Sequence, residues 1–141
     1  MSKMQRTKGA SAEREVCAFL RESGAFPHAE RDLEQTRGFN NGRDIIGTDP
    51  WVLQVKRHAV VTRGVILAGL AEASGSTTPE AQYAACIHRS DRHPWLVTCD
   101  VNDLAMYFVD LPWTGRCIPV QMTLEEFCGI VRTVEGMNDG D

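Results

Sequence analysis

The chain has 141 residues, 43% of them hydrophobic and 24% charged, with a formal net charge of −4; this balance fits one globular domain with a single core. No stretch approaches the roughly 18 apolar residues that mark a membrane span, and the opening MSKMQRTKG lacks the apolar run of a signal peptide, so the expectation is a cytoplasmic protein. Five cysteines (Cys17, Cys86, Cys99, Cys117 and Cys128) are an odd number with no CxxC pair, and are read as reduced and mostly buried.

In chain order, residues 1–7 read as a flexible basic leader. Ala12, Val16, Phe19 and Leu20 then recur at helical spacing, predicting an amphipathic helix from about Ser11 to Ser23 with Gly24 as its stop. Phe26 to Gly42 is polar, rich in Arg, Asn and Gly, and reads as irregular strand or loop. Arg43 to Gly47, a turn at Thr48, Asp49 and Pro50, and the run Trp51 to Arg57 together predict a β-hairpin whose second arm is the best strand in the chain. Residues 62–73 suit a helix despite Gly64 and Gly69, and their small residues suggest close packing on a sheet. Tyr83 to His88 and Trp95 to Cys99 predict two interior strands around a polar turn, and a helix follows near Val101 to Phe108. Thr123 and Glu126 have the spacing of a capping box for a helix reaching about Val134, and residues 136–141 are expected to be a disordered tail. The result is a single mixed α/β domain, with a central mixed sheet flanked by helices.

Chemistry concentrates on the hairpin. Strand alternation places Val52, Gln54 and Lys56 on one face of the second arm and Leu53, Val55 and Arg57 on the other. An amide and an ammonium on so apolar a strand are costly to bury without partners, and Asp44 on the first arm can supply one. A carboxylate, a second oxygen donor and a lysine converging at a strand end suit Mg²⁺ and a phosphodiester, because Mg²⁺ takes one or two carboxylates and completes its shell with water and phosphate. Spacing alone leaves a second account open, in which Asp44 and Lys56 form a cross-strand ion pair and Gln54 is a satisfied edge-strand amide.

Arg43-Asp44-Ile45 followed by Val52-Leu53-Gln54-Val55-Lys56 resembles the signature of the PD-(D/E)xK nuclease superfamily. Upstream, Lys8-Gly9-Ala10-Ser11-Ala12-Glu13-Arg14-Glu15 resembles the KGxxxERE opening of archaeal-type Holliday junction resolvases, including resolvase-like proteins of phages. The two motifs cover residues 8–57. The resemblance implies a restriction-endonuclease-like core over residues 8–135, with Glu13, Asp44, Gln54 and Lys56 as the catalytic group. It implies a metal site of Asp44, Gln54, Glu13 and the Val55 carbonyl, taking Mg²⁺ or Mn²⁺. Glu15 is the competitor of Glu13. The chain departs from the signature at two places: Arg43 stands where proline is usual, and Gln54 where the acidic residue is usual. The amide oxygen of Gln54 can coordinate but brings no charge.

Charge is uneven along the chain: residues 1–63 hold eleven Lys/Arg against eight Asp/Glu, and residues 64–141 hold four against eleven. Lys8, Arg14, Arg31, Arg37, Arg43, Arg57 and Arg63 are therefore candidates for contacts to DNA backbone phosphates, which position a substrate without reading its sequence. His88, His93 and Cys99 lack the spacing of a zinc site, the tryptophans Trp51, Trp95 and Trp113 are read as packing, and no GxxxxGK[ST] phosphate loop is present. The expectation is an endodeoxyribonuclease resolving four-way junctions in recombination or phage DNA processing. It would act as a homodimer on branched DNA in a bacterial or phage-infected cytosol, without a nucleotide cofactor or membrane. The alternatives are another DNA endonuclease of restriction or repair type, or a catalytically inactive DNA-binding or assembly module on the same fold.

Overall fold

The computed structural model describes residues 3–32, 44–111 and 115–139. In order they form α1 (Lys3–Glu22), β1 (Glu30–Arg31), β2 (Ile45–Ile46), β3 (Trp51–His58), α2 (Arg63–Ser74), β4 (Tyr83–Ser90), β5 (Leu96–Asp100), α3 (Val101–Val109), β6 (Pro119–Thr123) and α4 (Leu124–Asp139). The six strands make one mixed sheet in the spatial order β1-β2-β3-β4-β5-β6. Only β3 and β4 run parallel; the other neighbours are antiparallel. A parallel pair needs a crossover long enough to return the chain to the same end, and α2 supplies it.

β3 is central because five successive residues, Trp51 to Val55, are buried, which is possible only when both faces of a strand are covered. On one face Val52 joins Leu70 and Ala73 of α2 with Ala81, Ala84 and Cys86. On the other, Trp51, Leu53 and Val55 pack with Ala12, Val16 and Leu20 of α1 and with Leu124, Phe127 and Val131 of α4. The expected alternation thus holds: Val52, Gln54 and Lys56 look toward α2, and Leu53, Val55 and Arg57 away from it. Trp51 sits at the heart of the larger core, its ring 5.2 Å from Tyr107, 5.1 Å from Phe127 and 5.4 Å from Tyr83, so its role is packing, as expected. A Tyr107 hydroxyl bond to Glu135 Oε1, 2.8 Å, ties α3 to α4.

Several boundaries differ from the sequence expectation. α1 begins at Lys3, so the backbone of residues 3–7 of the expected leader is already helical. α4 runs to Asp139, through most of the expected tail. In both places residues with no packing pattern of their own extend a helix nucleated by a packed segment, because adding a residue to an existing helix is far easier than starting one. β6 was not expected at all. Its five residues begin with a proline and lie at the sheet edge, where a proline is tolerated, and they become a strand by pairing with β5. The capping box is present as read: Glu126 N–H donates to Thr123 Oγ1 at 3.1 Å, and Thr123 N–H to Glu126 Oε1 at 2.9 Å. All five cysteines are free, with Cys117 alone exposed. Among the described residues no helix is long and apolar enough to cross a membrane.

Candidate active site

The hairpin closes on a tight turn in which Trp51 N–H donates to the Thr48 carbonyl at 2.8 Å and the Thr48 hydroxyl donates to the Trp51 carbonyl at 2.7 Å. Gly47 precedes it at φ +79°, where a Cβ would collide with the His28 carbonyl, so the residue there must be glycine. This turn sets the register Ile45↔Leu53 and brings Asp44 to the end of β2. Asp44 N–H donates to the Leu53 carbonyl at 3.3 Å, and its carbonyl accepts from Asp32 N–H at 3.0 Å. Its carboxylate Oδ2 accepts from Val55 N–H at 2.7 Å. The side chain thus stands where a further carbonyl of β2 would continue the ladder, in the plane of the sheet and against the Gln54–Val55 peptide. Because the N–H and C=O of one strand residue point to the same neighbour, the Val55 carbonyl faces the same edge as the Asp44 carboxylate.

From that in-plane position Asp44 acts on both faces of the sheet. Toward α1, Glu13 is held well above the ordinary carboxylate range, from 4.5 to about 6, first by burial and then by the negative charge of Asp44; Arg31 opposes the shift. Arg31 Nε lies 3.6 Å from Glu13 Oε2, an ion pair too long for a hydrogen bond. Toward α2, burial pushes the Cys86 thiol up to about 12, with Lys56 opposing and Asp44 and Glu72 adding to the shift. Cys86 is therefore an inert packing residue that senses three charges around it.

Gln54 is 1% exposed and pairs in register with Cys86. Lys56 lies one pleat further along the same face, its Nζ 3.4 Å from both Glu72 oxygens on α2. Four of the expected residues thus lie on three elements meeting at one end of the β2–β3 pair: Glu13 on α1, Asp44 at β2, and Gln54 and Lys56 on β3. Among the described residues no three His, Cys, Asp or Glu side chains gather as a metal-ligand set. The oxygen-bearing groups among the expected residues are two acidic side chains, an amide and a backbone carbonyl.

The competitor Glu15 is used elsewhere. Its Oε1 accepts from Arg89 Nη1 at 2.8 Å and from Trp95 Nε1 at 3.1 Å, and its Oε2 lies 3.9 Å from Arg57. Arg89 also stacks over the Trp95 ring at 5.5 Å, and Arg57 reaches Asp91 at 3.7 Å. Arg57, a candidate phosphate contact, is thus compensated by two carboxylates. Arg14 on α1 and Arg63 at the start of α2 are exposed. Lys8 lies on α1, its side chain outside the described residues, and Arg37, Arg43 and Trp113 fall outside them entirely.

Three residues take up roles at the site that the sequence does not assign them: Asp32, Glu72 and Arg31, the last an expected phosphate contact that instead pairs with Glu13. Asp32, 5% exposed and bonded through its backbone to Asp44, lay in a stretch with no period; an Asp closing a two-residue strand carries no local signal. Arg31 and Glu72 are ordinary surface types whose roles exist only through contacts across the fold. His88 and Cys99 lie on β4 and β5 and His93 in the turn between them, as expected; His88 Nε2 meets Thr98 Oγ1 at 2.8 Å, and burial lowers the imidazole to about 4.

The chain is thus a single α/β domain whose mixed sheet presents a carboxylate, an amide and a lysine at the end of a hairpin, with a second carboxylate approaching from the first helix. Comparison with protein-family models, curated proteins and solved structures finds no match for it.

Proposed function

We propose that this protein is a Mg²⁺- or Mn²⁺-dependent endodeoxyribonuclease of the PD-(D/E)xK type, cutting branched DNA, most specifically four-way junctions, in the cytoplasm. The observation that carries the reading is the position of Asp44: bonded to the Val55 amide and electrostatically coupled to Glu13, it gathers the expected residues of three separate elements. Two like charges this close raise each other's cost of ionisation, and a divalent cation relieves that cost. The donor set therefore suits a hard, oxygen-seeking ion: Asp44 and Glu13 as carboxylates, Gln54 through its amide oxygen, and Val55 through its carbonyl. When bound, such an ion supplies water activation and charge neutralisation at a phosphodiester.

The chain's own residues do the rest. Asp44 fixes the site to the ladder, so its carboxylate is oriented before substrate arrives. Lys56 donates to oxygen atoms of the phosphate on which negative charge develops. Exposed Arg14 and Arg63 hold the backbone on either side. A homodimer places two such sites about one two-fold axis, matching the symmetry of a junction.

The test is cleavage of synthetic four-way junctions and matched linear duplexes at equal salt, with and without Mg²⁺. Preferential, Mg²⁺-dependent cutting of junctions, abolished in Asp44→Ala and Lys56→Ala, supports the proposal. Equal cutting of both substrates points to a general endonuclease. Junction binding without cutting points to the inactive DNA-binding module.

A further inference from the structure

We infer that α2 is the positioning element of Lys56, with Gly69 as the seat of its aliphatic stem and Glu72 as the tether of its ammonium; what Lys56 then does rests on the nuclease reading, how it is held does not. Gly69 is buried on the face of α2 that meets the sheet. A Cβ there would lie 2.7 Å from Cys86 Sγ and 3.3 Å from both Cγ and Cε of Lys56. The helix backbone therefore touches β4 through Cys86 and β3 through Lys56 at a single residue. Two stem carbons at the same distance mean that the lysine runs alongside Gly69 instead of ending on it. Any larger residue at 69 must move the Cys86 sulfur or lift the helix, and it presses on the lysine stem, which must then give by a few tenths of an ångström.

Glu72 follows three residues later and so projects from the same face of the helix. Its two oxygens are equidistant from Nζ at 3.4 Å, with Lys56 25% and Glu72 50% exposed. A pair this exposed adds little stability, and at this distance it holds the ammonium by charge more than by a tight hydrogen bond. Its value is orientation. A lysine stem is flexible, and ordering it before substrate arrives removes that ordering from the reaction barrier. The looseness of the pair lets a phosphate oxygen take over the ammonium without an exchange of strong bonds.

The experiment uses the full chain and a four-way junction with Mg²⁺. Glu72→Gln is expected to lower kcat about tenfold while KM for DNA changes by less than about twofold, with Glu72→Asp intermediate. Gly69→Ala risks unseating the helix against Cys86, so it is combined with Cys86→Ala, which removes the sulfur and leaves the contact with Lys56; kcat is again expected to fall with KM preserved. The structural readout is the NMR cross-peak between the Lys56 ε-protons and the Gly69 α-protons, present in the wild type and weakened in Glu72→Gln. Unchanged or raised kcat in Glu72→Gln, or no cross-peak in the wild type, overturns the assignment. A wild-type chain that shows the cross-peak but does not cut DNA overturns the nuclease reading while supporting the seat.

Discussion

At the scale of single residues, the site is a problem of charge held close to charge. Glu13 is 18% exposed, and its carboxyl is raised from 4.5 to about 6 by burial and by Asp44. Over that interval the folded chain holds a proton that the unfolded chain has released, so stability falls as pH rises from 4.5 to about 6. Glu13→Gln removes that slope. Its stability relative to wild type should improve by on the order of 1 kcal/mol between pH 4 and pH 7, after a discount for solvent screening, as read by denaturant melts at the two pH values. His88 titrates in the opposite sense, because its neutral form is favoured by burial and its contribution is lost as pH falls from 6.5 to about 4. The two slopes overlap, so the variant and not the wild-type profile isolates Glu13.

Gln54 tests the metal reading from the other side. It is buried against the sheet and next to the peptide that Asp44 holds. Gln54→Glu adds a third carboxylate to this end of the hairpin. Without metal it should destabilise the fold by about 1–3 kcal/mol, the cost of a poorly compensated buried polar group. With Mg²⁺ that loss should be recovered, and the Mg²⁺ concentration for half-maximal cleavage should drop. Thermal melts with and without Mg²⁺ check the first part and a cleavage titration the second; a melting temperature that Mg²⁺ does not restore would place Gln54 outside the coordination shell.

At the scale of elements, α1 and α2 cover β3, while α3 packs on β4 and β5 and α4 on β5 and β6; α2 has the most exacting position because it must approach closely. Its start is set by Thr62, whose hydroxyl accepts from Val65 N–H at 3.2 Å. The end is set by Gly75, whose N–H returns to the Ala71 carbonyl at 2.9 Å. Thr62→Ala should cost about 1 kcal/mol of stability, the usual value of an N-cap. Since Gly69 and Glu72 lie further along the helix and are held by the sheet, kcat should stay near wild type once the protein is folded. Chemical denaturation paired with a cleavage assay checks this; a fall in kcat comparable to that of Glu72→Gln would mean that the Lys56 seat depends on the helix end as well. α1 shows the same logic. Ala12, Val16 and Leu20 fix its buried stripe, and Glu13 and Glu15 are then carried to different neighbours: one to Asp44 and Arg31, the other to Arg89 and Trp95.

At the scale of the whole molecule, local pattern, in helical period, apolar runs, turn residues and a capping box, settled a good deal. It marked α1, β3, α2, β4, β5, α3 and α4, and the two-residue alternation of Trp51 to Arg57 put Gln54 and Lys56 on one face, because side-chain direction along a strand is a local property. The turn at Thr48 to Pro50 likewise made Asp44 and β3 neighbours, since a short connection leaves antiparallel pairing as the economical geometry. The rest depended on contacts that no local pattern encodes. Glu15 and Glu13 are indistinguishable as helix residues; what separates them is that Glu15 meets Arg89 and Trp95, 74 and 80 positions away. Lys56 finds Glu72 only because a crossover helix returns over its strand, β6 is a strand only because β5 lies beside it, and Asp32 reaches Asp44 across residues of irregular sequence. The sequence by itself thus determined which residues of the hairpin share a face and which way they point, because those follow from backbone geometry within a few residues. Only the tertiary structure decided which charges are compensated, which are crowded together and what holds the lysine, because electrostatic and packing energies depend on distance in space and not on distance along the chain.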